Sequence, residues 1–388
     1  MDLNKGLPVF RLFDIDIVVH WSWILIFLLL TWSLATGVFP IWHPYWSQAL
    51  LWSTAIAAVL LFFGCLLLHE LAHSLVARKR HIPVHRIILF LFGGVSNIER
   101  EPSSPGVEFL MAIVGPLTSL ALGVIFFTLG FLHSGGYGHE TVSGLGPYST
   151  LFLWLGPINI LIGMFNLIPA FPLDGGRVLR SILWAVTNNL RKATLWAAGV
   201  GQVTGWLFIF YGAALLFGMR LPFFQGGLFS GVWLALIGWF LYSAASRSSE
   251  LANIDTILQD VPVSQFMRPN GHTVSSDTPV SNLVHGWISG TGDRTLMVMD
   301  GDRPVGMVSP EDLGRISRSR WESSTVRAVM IPVDRLALAD PQEPASDALK
   351  QLIGSDLRQI PVVQDGHIIG MLRLTDMMEW VQLHREIR

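Results

Sequence analysis

His69-Glu70-Leu71-Ala72-His73 sets two imidazoles four residues apart with a carboxylate between them. On a helix, positions i and i+4 share a face, so both rings can grip one Zn²⁺. The glutamate beside the first histidine then has the place of a general base for metal-assisted hydrolysis. The surroundings sharpen that reading. Ala55 to Leu68 carries no charged residue. Ionisable groups at the end of a membrane-length apolar run are expensive, and those found there serve function by default.

A catalytic zinc takes three protein ligands and keeps one position open. The best third candidate is Asp174, in Asn166-Leu167-Ile168-Pro169-Ala170-Phe171-Pro172-Leu173-Asp174-Gly175-Gly176-Arg177. Pro169 and Pro172 oppose a regular helix, and the glycine pair lets backbone approach closely. An Asp before Gly-Gly is ordinarily a turn or a helix N-cap. Depth argues for more. His73 lies five residues before Arg78, roughly 7–8 Å from a charged boundary at the helical rise. Asp174 lies three residues before Arg177. Two motifs far apart in sequence thus reach one depth on one side.

These residues need membrane helices to position them. The chain has 388 residues, 51% apolar and 14% charged, the latter well below the usual quarter. Segments of about 20 apolar residues span a bilayer. Six are expected: about 17–38, 51–77, 107–132, 149–170, 193–217 and 226–245. Met1 to Asp16 carries Asp2, Asp14 and Asp16, and the apolar run after it is too long for a secretory signal, so it reads as an uncleaved first span.

Flanking charges give the orientation. Lys5 and Arg11, then Arg78, Lys79, Arg80, Arg86 and Arg100, then Arg177, Arg180, Arg191 and Lys192 fall on one side. The loops at about 39–50 and 133–148 carry no lysine or arginine, and the loop at 218–225 carries only Arg220. The positive-inside rule puts both termini in the cytoplasm of a multi-pass cell-membrane protein. Between the second and third spans, Ile87 to Phe92 is too short to cross. With Gly93-Gly94 it reads as a strand pair or re-entrant loop. An exposed edge there could hold an extended peptide by β-addition.

A polar stretch, 247–260, reads as a linker after a 1–246 membrane domain. The remainder repeats itself. From Arg294 and from Arg358, a Gly follows by twelve positions (Gly306, Gly370) and an Asp by six more (Asp312, Asp376). Met267 and Met330 also correspond. This resembles a tandem pair of CBS domains, at 261–320 and 321–388. That resemblance implies an α/β cytoplasmic module, an adenine nucleotide (ATP or AMP) as ligand and a homodimer through the pair. Ser309 and Asp312 match the family's nucleotide-contacting GxxSxxD pattern, as does Asp376, although Arg373 stands where its serine or threonine is expected.

His69-Glu70-Leu71-Ala72-His73, the Gly-Gly after it, Gly115-Pro116-Leu117-Thr118-Ser119 and the Asn166–Arg177 stretch together resemble the site-2 protease family of intramembrane zinc metalloproteases, in the subgroup with C-terminal CBS domains. The resemblance covers nearly the whole chain. It implies His69, His73 and Asp174 as zinc ligands, Glu70 as catalytic base, and Asn166 as a group that orients substrate or steadies the oxyanion. Asn159 is expected in a structural bond between helices. The expected substrate is a membrane-tethered protein, cut near the cytoplasmic leaflet and regulated by the CBS pair. The fold class is then a multi-pass α-helical membrane protein with six spans and a short re-entrant or β segment, plus the CBS pair. Near-neutral charge gives no basic field for nucleic acid. The single Cys65 excludes an intramolecular disulfide and a thiolate zinc site. A CBS-gated transporter would spread polar groups over several spans; here they cluster at one site.

Overall fold

The computed structural model describes residues 6–91, 93–98, 102–134, 144–219, 228–268, 272–288, 295–301, 303–354, 359–365 and 367–386. Lys5, Arg100, Arg220, Arg294 and Arg358 lie outside them. The chain forms two compact units, Met1–Glu250 and Leu251–Arg388.

The first unit begins with strands. β1 (Gly6–Leu12) and β2 (Ile15–His20) pair antiparallel, and helix starts only at Ser22. The expectation of a first span from Ile17 is corrected here. Ile15 and Ile17 alternate with Asp14 and Asp16, and β-branched residues in alternation favour strand. Both isoleucines are buried against Leu71 and Ile87. α1 (Ser22–Ser33) runs through a π turn at Leu34–Val38 into α2 (Phe39–Trp42). α3 (Gln48–Lys79) is 32 residues long and carries His69, Glu70 and His73. Ser47 caps its start by accepting from the Leu50 amide, and Arg78 and Lys79 end it where cations complement the helix dipole.

β3 (Val84–Phe90) and β4 (Gly93–Ile98) follow as an antiparallel pair, built from the segment read as a strand pair or re-entrant loop. The sheet order is β1-β2-β3-β4, with β2 parallel to β3 and β4 at one edge. α4 (Pro105–His133) and α5 (Pro147–Asn166) pack backbone to backbone at Gly123, Gly130, Gly156 and Gly163, the close approach that drives association where solvent is also apolar. α5 ends at Asn166, short of the expected 170, because Pro169 and Pro172 follow.

α6 (Asp174–Thr187) is a short helix that hydropathy alone did not foretell. Its polar positions kept it below span length and apolarity. α7 (Leu190–Leu216) and α8 (Leu228–Gln259) complete the unit's helices. Among the described residues, five helices are long and apolar enough to cross a membrane: 22–42, 48–79, 105–133, 147–166 and 190–216. The sixth expected span falls in α8, which continues as helix through the stretch read as a linker.

The second unit contains β5 (Thr273–Ser275), α9 (Val280–Ile288), β6 (Leu296–Asp300), β7 (Arg303–Val308) and β8 (Ile331–Pro332), then α10 (Ala345–Gly354), β9 (Gln359–Gln364), β10 (His367–Arg373) and α11 (Leu374–Glu386). β5-β6-β7-β8 form one sheet and β9-β10 another. The helix–strand–strand pattern thus occurs twice. Arg268 ties in to β10 by paired backbone bonds with Met371.

Candidate metal centre

His69 and His73 lie one turn apart on α3, and Asp174 is the first residue of α6. The Asp174 side chain does not cap its own helix; Leu173 holds the N-cap position. Instead Asp174 Oδ2 lies 3.1 Å from His69 Nε2 and 3.2 Å from His73 Nε2, and the two Nε2 atoms are 3.1 Å apart. The three donor atoms make a nearly equilateral triangle. Tetrahedral zinc with bonds of about 2.0–2.1 Å needs ligand separations of about 3.3 Å, so the spacing fits the ion. All three side chains are at most 14% exposed.

The far side of each ring supports the same fit. The His73 Nδ1 contacts the Met111 carbonyl oxygen, which can only accept. The proton therefore sits on Nδ1, and Nε2 of the neutral ring keeps its lone pair for a cation. Ser119 Oγ lies 2.9 Å from His69 Nδ1 and fixes the second ring. Both partners come from α4. Between them stands Gly115, and a Cβ there would fall 2.1 Å from His73 Nε2 and 2.7 Å from His69 Nε2. Only glycine leaves the donor atoms room.

Glu70 points to the other neighbour of α3, the sheet. Ser96 Oγ on β4 donates to Glu70 Oε2 at 2.9 Å, and Ser74 Oγ lies 3.1 Å from Ser96 Oγ. A Cβ on Gly94 would fall 2.5 Å from Glu70 Cγ, so the missing side chain lets the edge strand touch the glutamate. β4 is therefore both the sheet edge and the wall of the site.

The structure thus brings His69, His73 and Asp174 together, with Glu70 on the same helix as the histidines. Asn166 ends α5, and its amide donates to the Ile162 carbonyl one turn back, not to the triad. Asn159 donates within its own helix, to the Leu155 carbonyl, and its side chain also bonds Cys65 on α3, the bond between helices that was expected. Ser309 and Asp312 form a capping box at the start of a short 3₁₀ helix after β7: Asp312 Oδ2 accepts from the Ser309 amide at 2.8 Å and from its hydroxyl at 2.7 Å. Asp376 is held by Arg268 and Arg373 through four contacts of 2.8–3.2 Å.

Sequence reasoning missed Met111 and Ser96. Met111 acts through its carbonyl, which no side-chain pattern encodes. Ser96 left one trace, a lone hydroxyl in an apolar strand.

The family model described as Peptidase family M50 matches residues 57–209, and the CBS domain model matches 263–318 and 326–383. The protein named as zinc metalloprotease Rip3 of Mycobacterium tuberculosis is 31% identical over 99% of this chain and 94% of its own. Zinc metalloprotease MJ0392 of Methanocaldococcus jannaschii is 27% identical over 100% of both chains. Among solved structures, a site-2 protease from Methanocaldococcus jannaschii is 29% identical and covers 63% of this chain and 95% of its own, with a TM-score of 0.39.

Proposed function

The chain belongs to peptidase family M50, the site-2 protease family of zinc metalloproteases, and carries a tandem pair of CBS domains; from that premise we propose that it is an intramembrane endopeptidase that cuts a membrane-anchored protein near the cytoplasmic leaflet. The observation that carries this reading is the convergence of His69 Nε2, His73 Nε2 and Asp174 Oδ2 from two distant segments, one residue away from Glu70. We assign the first three as zinc ligands and Glu70 as the catalytic base.

Zinc bound there would supply Lewis acidity toward the scissile carbonyl and toward water. Glu70 takes the proton from the attacking water and returns it to the leaving amine. Ser96 holds the carboxylate for both transfers. A helical peptide bond is shielded by its own turn, so the substrate must be extended at the cut. β4, an edge strand of the sheet among the described residues, offers backbone hydrogen bonds for such a strand. Asn166 is assigned to substrate or oxyanion contact on the family resemblance.

The domain limits 1–246, 261–320 and 321–388, six spans that include the apolar start of α8, and cytoplasmic termini belong to this same reading. The flanking-charge pattern supports the orientation. We assign regulation to the CBS pair, with dimerisation through it and an adenine nucleotide at Ser309 and Asp312. At the second half-site the pairing of Asp376 with two arginines favours a closed position.

Replacing Glu70 with Gln and co-expressing the enzyme with a tagged single-span substrate tests the mechanism. Loss of the cleaved fragment is expected; undiminished cleavage would sink the assignment. For the module, calorimetry of the full chain with ATP and with AMP should give heat that Asp312→Asn abolishes. An absence of heat with both nucleotides removes the ligand.

A further inference from the structure

Glu108 in the first turn of α4 is 0% exposed, and Arg180 on α6 is 7% exposed. Arg180 Nε donates to Glu108 Oε1 at 2.6 Å, and a second guanidinium nitrogen contacts the same oxygen. The guanidinium also lies 5.7 Å from the centre of the Phe171 ring, in the loop that leads into Asp174. A buried ion pair is weak evidence of stability, because desolvating each charge costs several kcal/mol. Its location says more.

α4 supplies no candidate ligand, yet it touches every element that does. Glu108, Met111, Gly115 and Ser119 stand at i, i+3, i+7 and i+11, on one face of the helix. The Met111 carbonyl orients His73, Ser119 orients His69, and Gly115 leaves space for both. Glu108 continues that face by one turn and grips α6 instead. Arg180 sits six residues after Asp174, about 9 Å along a rigid helix. The hydrophobic effect that presses helices together is non-directional. A directional bond between charged groups fixes its register.

We infer that the Glu108–Arg180 pair is a positioning device, which holds α6, and with it Asp174, in register with the two histidines that the same face of α4 orients. The inference rests on the zinc-peptidase reading and extends it to residues outside the ligand set. The pair sets the shape of the metal site and touches no reacting atom.

The test uses the full chain purified in detergent. Zinc affinity is read by competition with a chromophoric chelator, beside kcat and KM on a tagged single-span substrate. Glu108→Gln should weaken zinc binding about tenfold and lower kcat while KM holds. That is the low end of what loss of a group bonded directly to a metal ligand causes, because the pair acts on Asp174 only through α6. Should that variant fail to fold, the double variant Glu108→Leu/Arg180→Met decides. Replacing a buried pair by apolar groups of similar volume restores stability, but it leaves no directional bond. Zinc affinity should therefore stay low at a recovered melting temperature. Wild-type affinity in either variant would overturn the inference. His69→Ala is the control: a wild-type chain that holds zinc no better than His69→Ala defeats the parent zinc reading instead.

Discussion

Ser96 Oγ, on the edge strand of the sheet, donates to Glu70 Oε2 across 2.9 Å. A residue of the sheet thus anchors the carboxylate that α3 places beside the histidines. Glu70 and the sheet edge share one hydrogen bond, so under the proposed function a peptide docked on β4 would be registered against Glu70 by the wall it docks on.

Ser96→Ala should lower kcat about 10–100-fold. A hydrogen bond to a charged group is worth about 1.5–3 kcal/mol, and each 1.4 kcal/mol is a factor of ten. Zinc content should not change, because Ser96 bonds none of the three ligands. Single-turnover cleavage in proteoliposomes, with metal analysis of the same sample, checks both halves.

Gly115→Ala should abolish zinc binding while the helices remain. Its Cβ would fall 2.1 Å from His73 Nε2, inside any allowed contact. Unchanged far-UV circular dichroism with zinc lost to dialysis is the expected pair of results. A zinc-replete, active alanine variant would show that the donor atoms do not converge as described.

Ser119→Ala removes the partner of His69 Nδ1 and leaves the ligand set intact. Zinc affinity should fall about 10–100-fold. Ser119→Thr, which keeps the hydroxyl, should recover most of the loss. Equal affinity in the alanine variant and the wild type would remove Ser119 from the site.

In the second unit, burial pushes the Asp376 carboxyl up, but hydrogen bonds and charge from Arg373 and Arg268 outweigh it and hold the group below the ordinary aspartate range. A depressed folded pKa stabilises the fold above the unfolded value, near pH ~4, and that contribution is lost as pH falls through the folded value. Asp376→Asn should therefore cost about 1 kcal/mol or less at pH 7, since Arg268 is well exposed. The gap to wild type should close as pH drops below about 4. Denaturant melts across pH measure it, and a gap that persists in acid contradicts the pairing.

Much of the membrane unit could be read before any coordinates. Long apolar runs are a strong signal, and four of the expected spans sit within a few residues of α3, α4, α5 and α7. The hidden parts have physical reasons. β2 looked like the start of a span because its isoleucines and valines are as apolar as those of the helix after it; only the alternation with Asp14 and Asp16 separates them. α6 is too short and too polar to stand out. The convergence of His69, His73 and Asp174 was legible because the i, i+4 histidine spacing marks one half and the matching depth of Asp174 before Arg177 marks the other. What surrounds them was only partly legible: Gly115 and Ser119 lie in a motif that the resemblance used, but a carbonyl at Met111 and a buried ion pair between Glu108 and Arg180 leave no pattern to match.

The parallel pairing of β2 with β3 also fixes an order of events in biosynthesis. Asp16 lies beside Arg86, and α1, α2 and α3 all lie between them in sequence. The β2–β3 pair cannot close until the intervening helices have been made, whereas β3 and β4 are neighbours in sequence and pair locally. A newly made chain therefore carries its histidines, Glu70 and the strand beside them before Asp174 has been synthesised. The convergence of the three donor atoms is complete only once α6 has joined the fold, after α3, α4 and α5.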